Sequence, residues 1–229
     1  MTTSNPVPHR NFDEPFNADQ IGDEHVGTSV DTPLREDAFD LTDDEKMSRI
    51  EPLFREIMSV LGLDLTDDSL SGTPHRVAKM YVKEIFRGLN PENHPVCRTF
   101  SNTYEYSEML VEKDINRNST CEHHFLPIIG HAHVSYRSSG RVIGLSKNYR
   151  LVDHFARRPQ VQERLTRQIA CALKDILGTE DVAVVIDAKH LCVSSRGIED
   201  EGSATVTADY HGCFKDASVR REFLDHIRG

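Results

Sequence analysis

Ala132-His133-Val134-Ser135-Tyr136-Arg137-Ser138-Ser139-Gly140-Arg141-Val142-Ile143-Gly144-Leu145 is the stretch on which the fold turns. Residues 132–136 read as a strand, Ser138-Ser139-Gly140 supplies turn chemistry, and residues 142–145 are extended again. With residues 109–113 upstream, a strand-rich block runs from about residue 98 to 145. Working outward, residues 146–157 and 159–177 read as helices. The second carries Val161, Leu165, Ile169, Leu173 and Ile176 on one face, with Gly178 beyond its end. Residues 182–187, 191–194 and 204–208 return to strand, and 219–227 close the chain as a short helix. On the other side, Thr42 and Glu45 form a capping box before Met47, Ile50, Phe54, Ile57 and Leu61, and Gly62 ends that helix. Thr73-Pro74 opens a second helix through Val77, Met80, Tyr81 and Ile85, stopped at Gly88. The pattern is α+β: two leading helices, a largely antiparallel sheet, and helices packed on one face.

Residues 1–40 are rich in Asp, Glu, Pro, Asn and Thr without periodicity, and read as a mobile or loosely packed acidic tail. Residues 41–229 form one domain, with a helical part over 41–95 and the sheet core over 96–229. A net charge of -10 argues against a general nucleic-acid binder, while local basic clusters leave an anionic substrate open. No apolar run nears the roughly 20 residues that span a bilayer, so no membrane partner is expected. Residues 1–17 lack the order of a secretory signal. The five cysteines (Cys97, Cys121, Cys171, Cys192 and Cys213) are odd in number and scattered, which suits a reducing cytoplasm better than a disulfide framework.

Two short segments carry metal chemistry: Cys121-Glu122-His123-His124 and His190-Leu191-Cys192. Cys121 and His124 are three apart, so one turn or tight loop aims both at one ion and sends His123 elsewhere, placed for proton transfer. In an extended segment His190 and Cys192 share a face, so one ligates while the other lies beside the metal. The ligand set proposed is Cys121, His124 and Cys192. Three protein ligands with an open fourth position mark a catalytic zinc, pointing to metal-assisted hydrolysis rather than a structural staple. His131 and His133 also share a strand face but read as solvated sheet positions, and Cys171 reads as a core thiol.

Basic residues collect at helix starts and near the metal motif: Arg76 and Lys79, Lys147 and Arg150, and Arg196. Helix N-termini and arginine forks suit phosphate. Gln162 and Glu163 head the next helix. A carboxylate there favours the helix dipole, or accepts paired hydrogen bonds from a guanine edge.

The chain resembles the GTP cyclohydrolase I family. The resemblance is carried by Thr73-Pro-His-Arg-Val-Ala-Lys-Met-Tyr, Ser119-Thr-Cys-Glu-His-His, Val142-Ile-Gly-Leu-Ser-Lys, Arg158-Pro-Gln-Val-Gln-Glu-Arg-Leu-Thr, and His190-Leu-Cys followed by Arg196-Gly. These run in family order over roughly residues 45–229. The resemblance implies a tunnelling fold assembled as a toroidal homodecamer, a dimer of pentamers with active sites between subunits. It implies zinc on Cys121, His124 and Cys192, and the guanine anchored by Glu163 with Gln162. Ser146 and Lys147 lie against ribose and phosphates, and Arg76, Lys79, Arg150 and Arg196 face the triphosphate. The implied reaction hydrates GTP at C8, releases formate and rearranges the opened ribose to 7,8-dihydroneopterin triphosphate, with His190, His123 and Ser146 as catalytic groups.

Two rivals are weaker. A nitrile reductase of related fold needs a free reactive thiolate, whereas both candidate cysteines here have histidines at ligand spacing. A zinc-stabilised GTP-binding protein without turnover would lack His123 or His190, and both are present.

Overall fold

The computed structural model describes residues 29–116 and 118–228. Residues 1–28 of the acidic tail lie outside the described residues. From Ser29 onward the tail meets the core: Arg164 Nε donates to the Ser29 carbonyl at 2.9 Å, and Gln168 Nε2 donates to Asp31 Oδ1 at 3.1 Å.

Helix α1 spans Asp43–Val60, and its capping box forms as the sequence requires. Thr42 Oγ1 accepts from the Glu45 amide at 3.3 Å, and the Thr42 amide donates to Glu45 Oε2 at 2.8 Å. Only Met58 of α1 is buried in the single chain; Leu53, Ile57 and Val60 stay exposed, as does Leu61 just beyond. After a short turn α2 (Asp68–Ser71), α3 spans Thr73–Met80 with Pro74 in its first turn. The expected continuation to Gly88 is not regular. The chain widens into a π-helical turn over Tyr81–Ile85 and then a 3-10 turn over Arg87–Leu89. The Phe86 amide bonds to the Tyr81 carbonyl at 3.0 Å, five residues back, which lays the two rings on one face with centroids 5.5 Å apart.

The strands are β1 (Thr99–Ser101), β2 (Leu110–Asn116), β3 (Ser119–Cys121), β4 (Pro127–Tyr136), β5 (Arg141–Ile143), β6 (Pro159–Gln160), β7 (Val182–His190) and β8 (Thr205–Tyr210). β1 and β5 pair apart from the main sheet, whose order is β6-β3-β4-β7-β8, with β2 also on β4. Every pairing is antiparallel except β3 with β6. Helices α4 (Leu145–Ala156) and α5 (Gln162–Leu177) cover one face. Their Leu151, Ile169 and Leu173 meet Ala132, Val134, Val184 and Ile186 of the sheet. α5 ends at Gly178, whose φ of 64° is the left-handed cap expected.

Several further expectations need correction. First, the helices are not confined to one face. The terminal helix, Ala217–Arg228, packs Phe223 against Ala183, Val185 and Phe214 on the opposite side. β7 is therefore buried on both faces from Val182 to Ile186, which its unbroken apolar run permits. Second, Pro159–Gln160 is not helical. It pairs parallel with β3, the Gln160 carbonyl accepts from the Glu122 amide at 3.0 Å, and α5 starts only at Gln162. Third, Leu191–Ser194 is one helical turn, α6, because β7 loses its partner beyond the His190–Ile128 pair and the Leu191 carbonyl accepts from the Ser195 amide at 2.9 Å. Fourth, Cys171 is exposed on α5, not in the core. His131 is solvated as expected, but His133 is buried. Its Nδ1 accepts from the Asp114 amide at 3.2 Å, where a bulge in β2 lifts Asp114 to a φ of 58°.

Candidate active site

The two metal-ligand segments meet because β4 lies between β3 and β7. Antiparallel pairing sets the start of β4 beside the end of β7, with Ile128 opposite His190. The β3–β4 turn and the β7–α6 junction thus face each other at one end of the sheet.

The turn is tight. The Cys121 amide donates to the Leu126 carbonyl at 2.8 Å, and the Phe125 amide donates to the Cys121 carbonyl at 2.9 Å. Closing it forces Phe125 to a φ of 54°, a left-handed conformation uncommon for an aromatic residue. The ring is held by Phe86, with centroids 5.1 Å apart, and by Tyr81 at 6.3 Å. A single tight turn, closed by one bond four residues apart and not continued into a helix, therefore presents Cys121 and His124.

Donor atoms of Cys121, His124 and Cys192 lie within 4.8 Å of one another. Cys121 is buried, Cys192 half-buried and His124 exposed, so the cluster opens to solvent on one side. Two thiols and an imidazole suit a soft to borderline divalent ion. Burial pushes the Cys192 thiol up, and the adjacent Cys121 pushes it further, with Arg196 opposing. Two sulfurs this close repel as thiolates, and a cation between them reverses that penalty. The residues present fit a metal. His123 does not join the cluster; its Nδ1 lies 3.8 Å from Cys121 Sγ and its Nε2 3.8 Å from Glu122 Oε1.

His190 caps the junction, and its environment fixes its tautomer. Gln162 Nε2 donates to the carbonyls of Ile186 at 3.1 Å and Thr205 at 2.8 Å. Its Oε1 is therefore the atom facing His190 Nε2 at 2.8 Å, and the imidazole must donate there. Nδ1 is left as the nitrogen that takes up or passes a proton. Burial lowers the affinity of His190 for a proton, and the nearby Glu163 raises it.

Gln162 was paired with Glu163 from its place at the head of α5. The side chain instead turns inward, 1% exposed, with its amide committed to two strands and His190. Glu163 is exposed beside it. Ser146 and Arg150 are exposed in the first turns of α4, and Lys147 is half-buried. Lys147 and Arg150 both favour the thiolate of Cys97, which burial otherwise disfavours. Arg76 donates to the Ser69 carbonyl at 3.1 Å and Thr73 Oγ1 at 3.0 Å within its own helical hairpin, and Lys79 is exposed on the same helix. Cys121, His124, Cys192, His123, His190, Gln162, Glu163 and Arg196 are gathered around the ligand cluster. The basic residues of α3 and α4 are carried on other elements.

Sequence reasoning missed one pair. Arg164 Nη1 and Nη2 donate to Glu122 Oε2 at 2.6 Å and Oε1 at 3.2 Å, joining α5 to the ligand loop. The signal was an arginine in the first turn of a helix, where a cation opposes the dipole and needs a local reason to be there.

The model of the family described as GTP cyclohydrolase I matches residues 50–228. A GTP cyclohydrolase 1 of Flavobacterium johnsoniae is 63% identical over 210 residues, covering 92% of this chain and 94% of the relative. Those of Aeromonas salmonicida and Salmonella arizonae are 52% and 50% identical, covering 87% and 91% of this chain and 91% and 94% of the relatives. Matched over nearly its whole length, the chain belongs to the GTP cyclohydrolase I family.

Proposed function

We propose that this chain converts GTP to 7,8-dihydroneopterin triphosphate with release of formate, using a zinc ion held by Cys121, His124 and Cys192. The observation that carries the reading is the three-donor cluster set beside a histidine of defined tautomer, in a chain of this family. Bound zinc supplies the Lewis acidity that makes hydroxide available from water near neutral pH.

The remaining work falls to side chains. Glu163 accepts hydrogen bonds from the N1 and N2 edge of guanine and so sets C8 toward the cluster. Gln162, already committed, acts through His190. As the imidazolium, His190 gives the proton on Nδ1 to N7 as C8 is attacked and returns to the neutral tautomer whose Nε2–H stays anchored on Gln162. His123 moves a proton at the ribose ring oxygen, and Ser146 assists the rearrangement of the opened ribose. Lys147, Arg150, Arg196, Arg76 and Lys79 hold the triphosphate, whose contacts need not change during the reaction.

The active assembly is a toroidal homodecamer of two stacked pentamers, with sites at subunit boundaries and residence in the cytoplasm. In support, Leu53, Ile57, Val60 and Leu61 leave an apolar strip on α1 for a neighbouring subunit. Among the described residues no helix is long and apolar enough to cross a membrane.

The test is formate release from GTP by zinc-loaded protein, with pterin absorbance followed in the same sample. Equal, simultaneous rises are expected. Formate without pterin would remove the roles given to His123 and Ser146, and neither product would overturn the reading.

A further inference from the structure

We propose that Arg164 is a positioning residue for the metal-ligand turn, acting through the carboxylate of Glu122. This deepens the zinc-enzyme reading above and rests on it.

Glu122 lies between Cys121 and the two histidines, so its position sets the backbone on both sides of the ligands. Its amide is fixed by the Gln160 carbonyl at 3.0 Å. Its side chain is gripped by both terminal nitrogens of Arg164, at 2.6 and 3.2 Å. The guanidinium is committed further: Nε donates to the Ser29 carbonyl at 2.9 Å, and Nη1 also reaches the Pro159 carbonyl at 3.5 Å. The Arg164 side chain is 3% exposed. This planar fork, engaged on two edges, fixes orientation in a way a lysine ammonium cannot.

The location is costly. A buried cation pays desolvation, and the first turn of a helix disfavours positive charge. An ion pair here is therefore a poor source of stability and a good source of geometry. The same turn of α5 sends Gln162 to His190 and Arg164 to Glu122. One rigid element thus sets both the proton carrier and two of the three metal ligands. The Glu122 carboxylate also lies 3.8 Å from His123 Nε2, so the clamp reaches the second histidine as well. Partners that orient ligands in this way are worth roughly 10- to 100-fold in metal affinity or activity.

The test uses the full chain with Glu122→Gln, Glu122→Asp and Arg164→Lys. Zinc affinity is measured by competition with a chromophoric chelator, the cobalt-substituted absorption spectrum is recorded, and kcat and KM for GTP are determined. Glu122→Gln keeps the shape and should fold even if Arg164→Lys does not. Expected are zinc affinity roughly 10- to 100-fold weaker in Glu122→Gln, a changed cobalt spectrum, a fall in kcat with little change in KM, and partial recovery in Glu122→Asp. Wild-type zinc affinity and an unaltered cobalt spectrum in Glu122→Gln would overturn the clamp while leaving the reaction intact. A native chain that binds zinc without consuming GTP would overturn the reaction while the affinity comparison still decides the clamp. A native chain that binds neither metal would overturn both.

Discussion

Gln162 and His190 stand 2.8 Å apart with their hydrogen-bond polarity decided, because the Gln162 amide nitrogen is already spent on the Ile186 and Thr205 carbonyls. The glutamine is thus a fixed acceptor, and the half-buried imidazole is held by one nitrogen.

Gln162→Ala should lower kcat roughly 10- to 100-fold, the range seen when a supporting partner of a functional histidine is lost. KM for GTP should move little. The buried Ile186 carbonyl and the partly buried Thr205 carbonyl lose this donor, so unfolding free energy should drop by about 1–3 kcal/mol. Steady-state kinetics and urea denaturation of the same preparation check both.

Removing a ligand and removing a proton carrier should separate cleanly. Cys121→Ser is expected to lose metal and activity together. His190→Ala is expected to keep metal and fold while losing turnover by roughly 100-fold or more. Metal content per chain and GTP consumption measured side by side distinguish them; native turnover in His190→Ala would remove its acid–base role. Chelation should abolish activity, and zinc should restore it.

Gly130→Ala tests the junction that brings the ligands together. A Cβ at Gly130 would sit 2.1 Å from the Asp187 carbonyl oxygen and 2.5 Å from Ala188 Cβ. β4 and β7 would have to part there, costing about 1–3 kcal/mol or more. Zinc affinity should fall alongside stability, although the substituted residue is not a ligand. Thermal melts and chelator competition provide the readout.

His154 should make stability sensitive to acid. The ring is 5% exposed, and burial first, then Arg158 and His94, lower its pKa to about 4. Its unfolded value is ordinary, so between about pH 6.5 and 4 the unfolded chain binds a proton that the folded chain refuses. Stability is full above that window and declines as pH falls through it, by up to about 3 kcal/mol. His154→Gln should flatten the pH dependence of urea midpoints over the same range.

Local chemistry made much of this chain readable. The Thr42–Glu45 box, the Gly178 cap and the strand-turn-strand signal after residue 132 all depend on neighbours in sequence, and each formed, although the second strand ends at Ile143 and Leu145 already opens the next helix. The three candidate donors, which the structure brings within 4.8 Å of one another, were readable because histidine and cysteine at ligand spacing are rare in combination. What escaped depended on distant partners. The turn from strand to helix after His190 follows from where β4 ends, which the segment itself does not encode. The inward rotation of Gln162 follows from carbonyls on β7 and β8. The burial of His133 follows from a bulge one strand away. The π turn at Tyr81 answers to an aromatic ring on the metal-ligand loop.

The threading of β4 between β3 and β7 has a consequence for biogenesis. Cys121 and His124 leave the ribosome well before Cys192, and only completion of the β4–β7 ladder brings them together. A nascent chain therefore lacks the complete three-donor set until the sheet has closed. The donor set is thus assembled late, and its geometry depends on the far end of the polypeptide having folded.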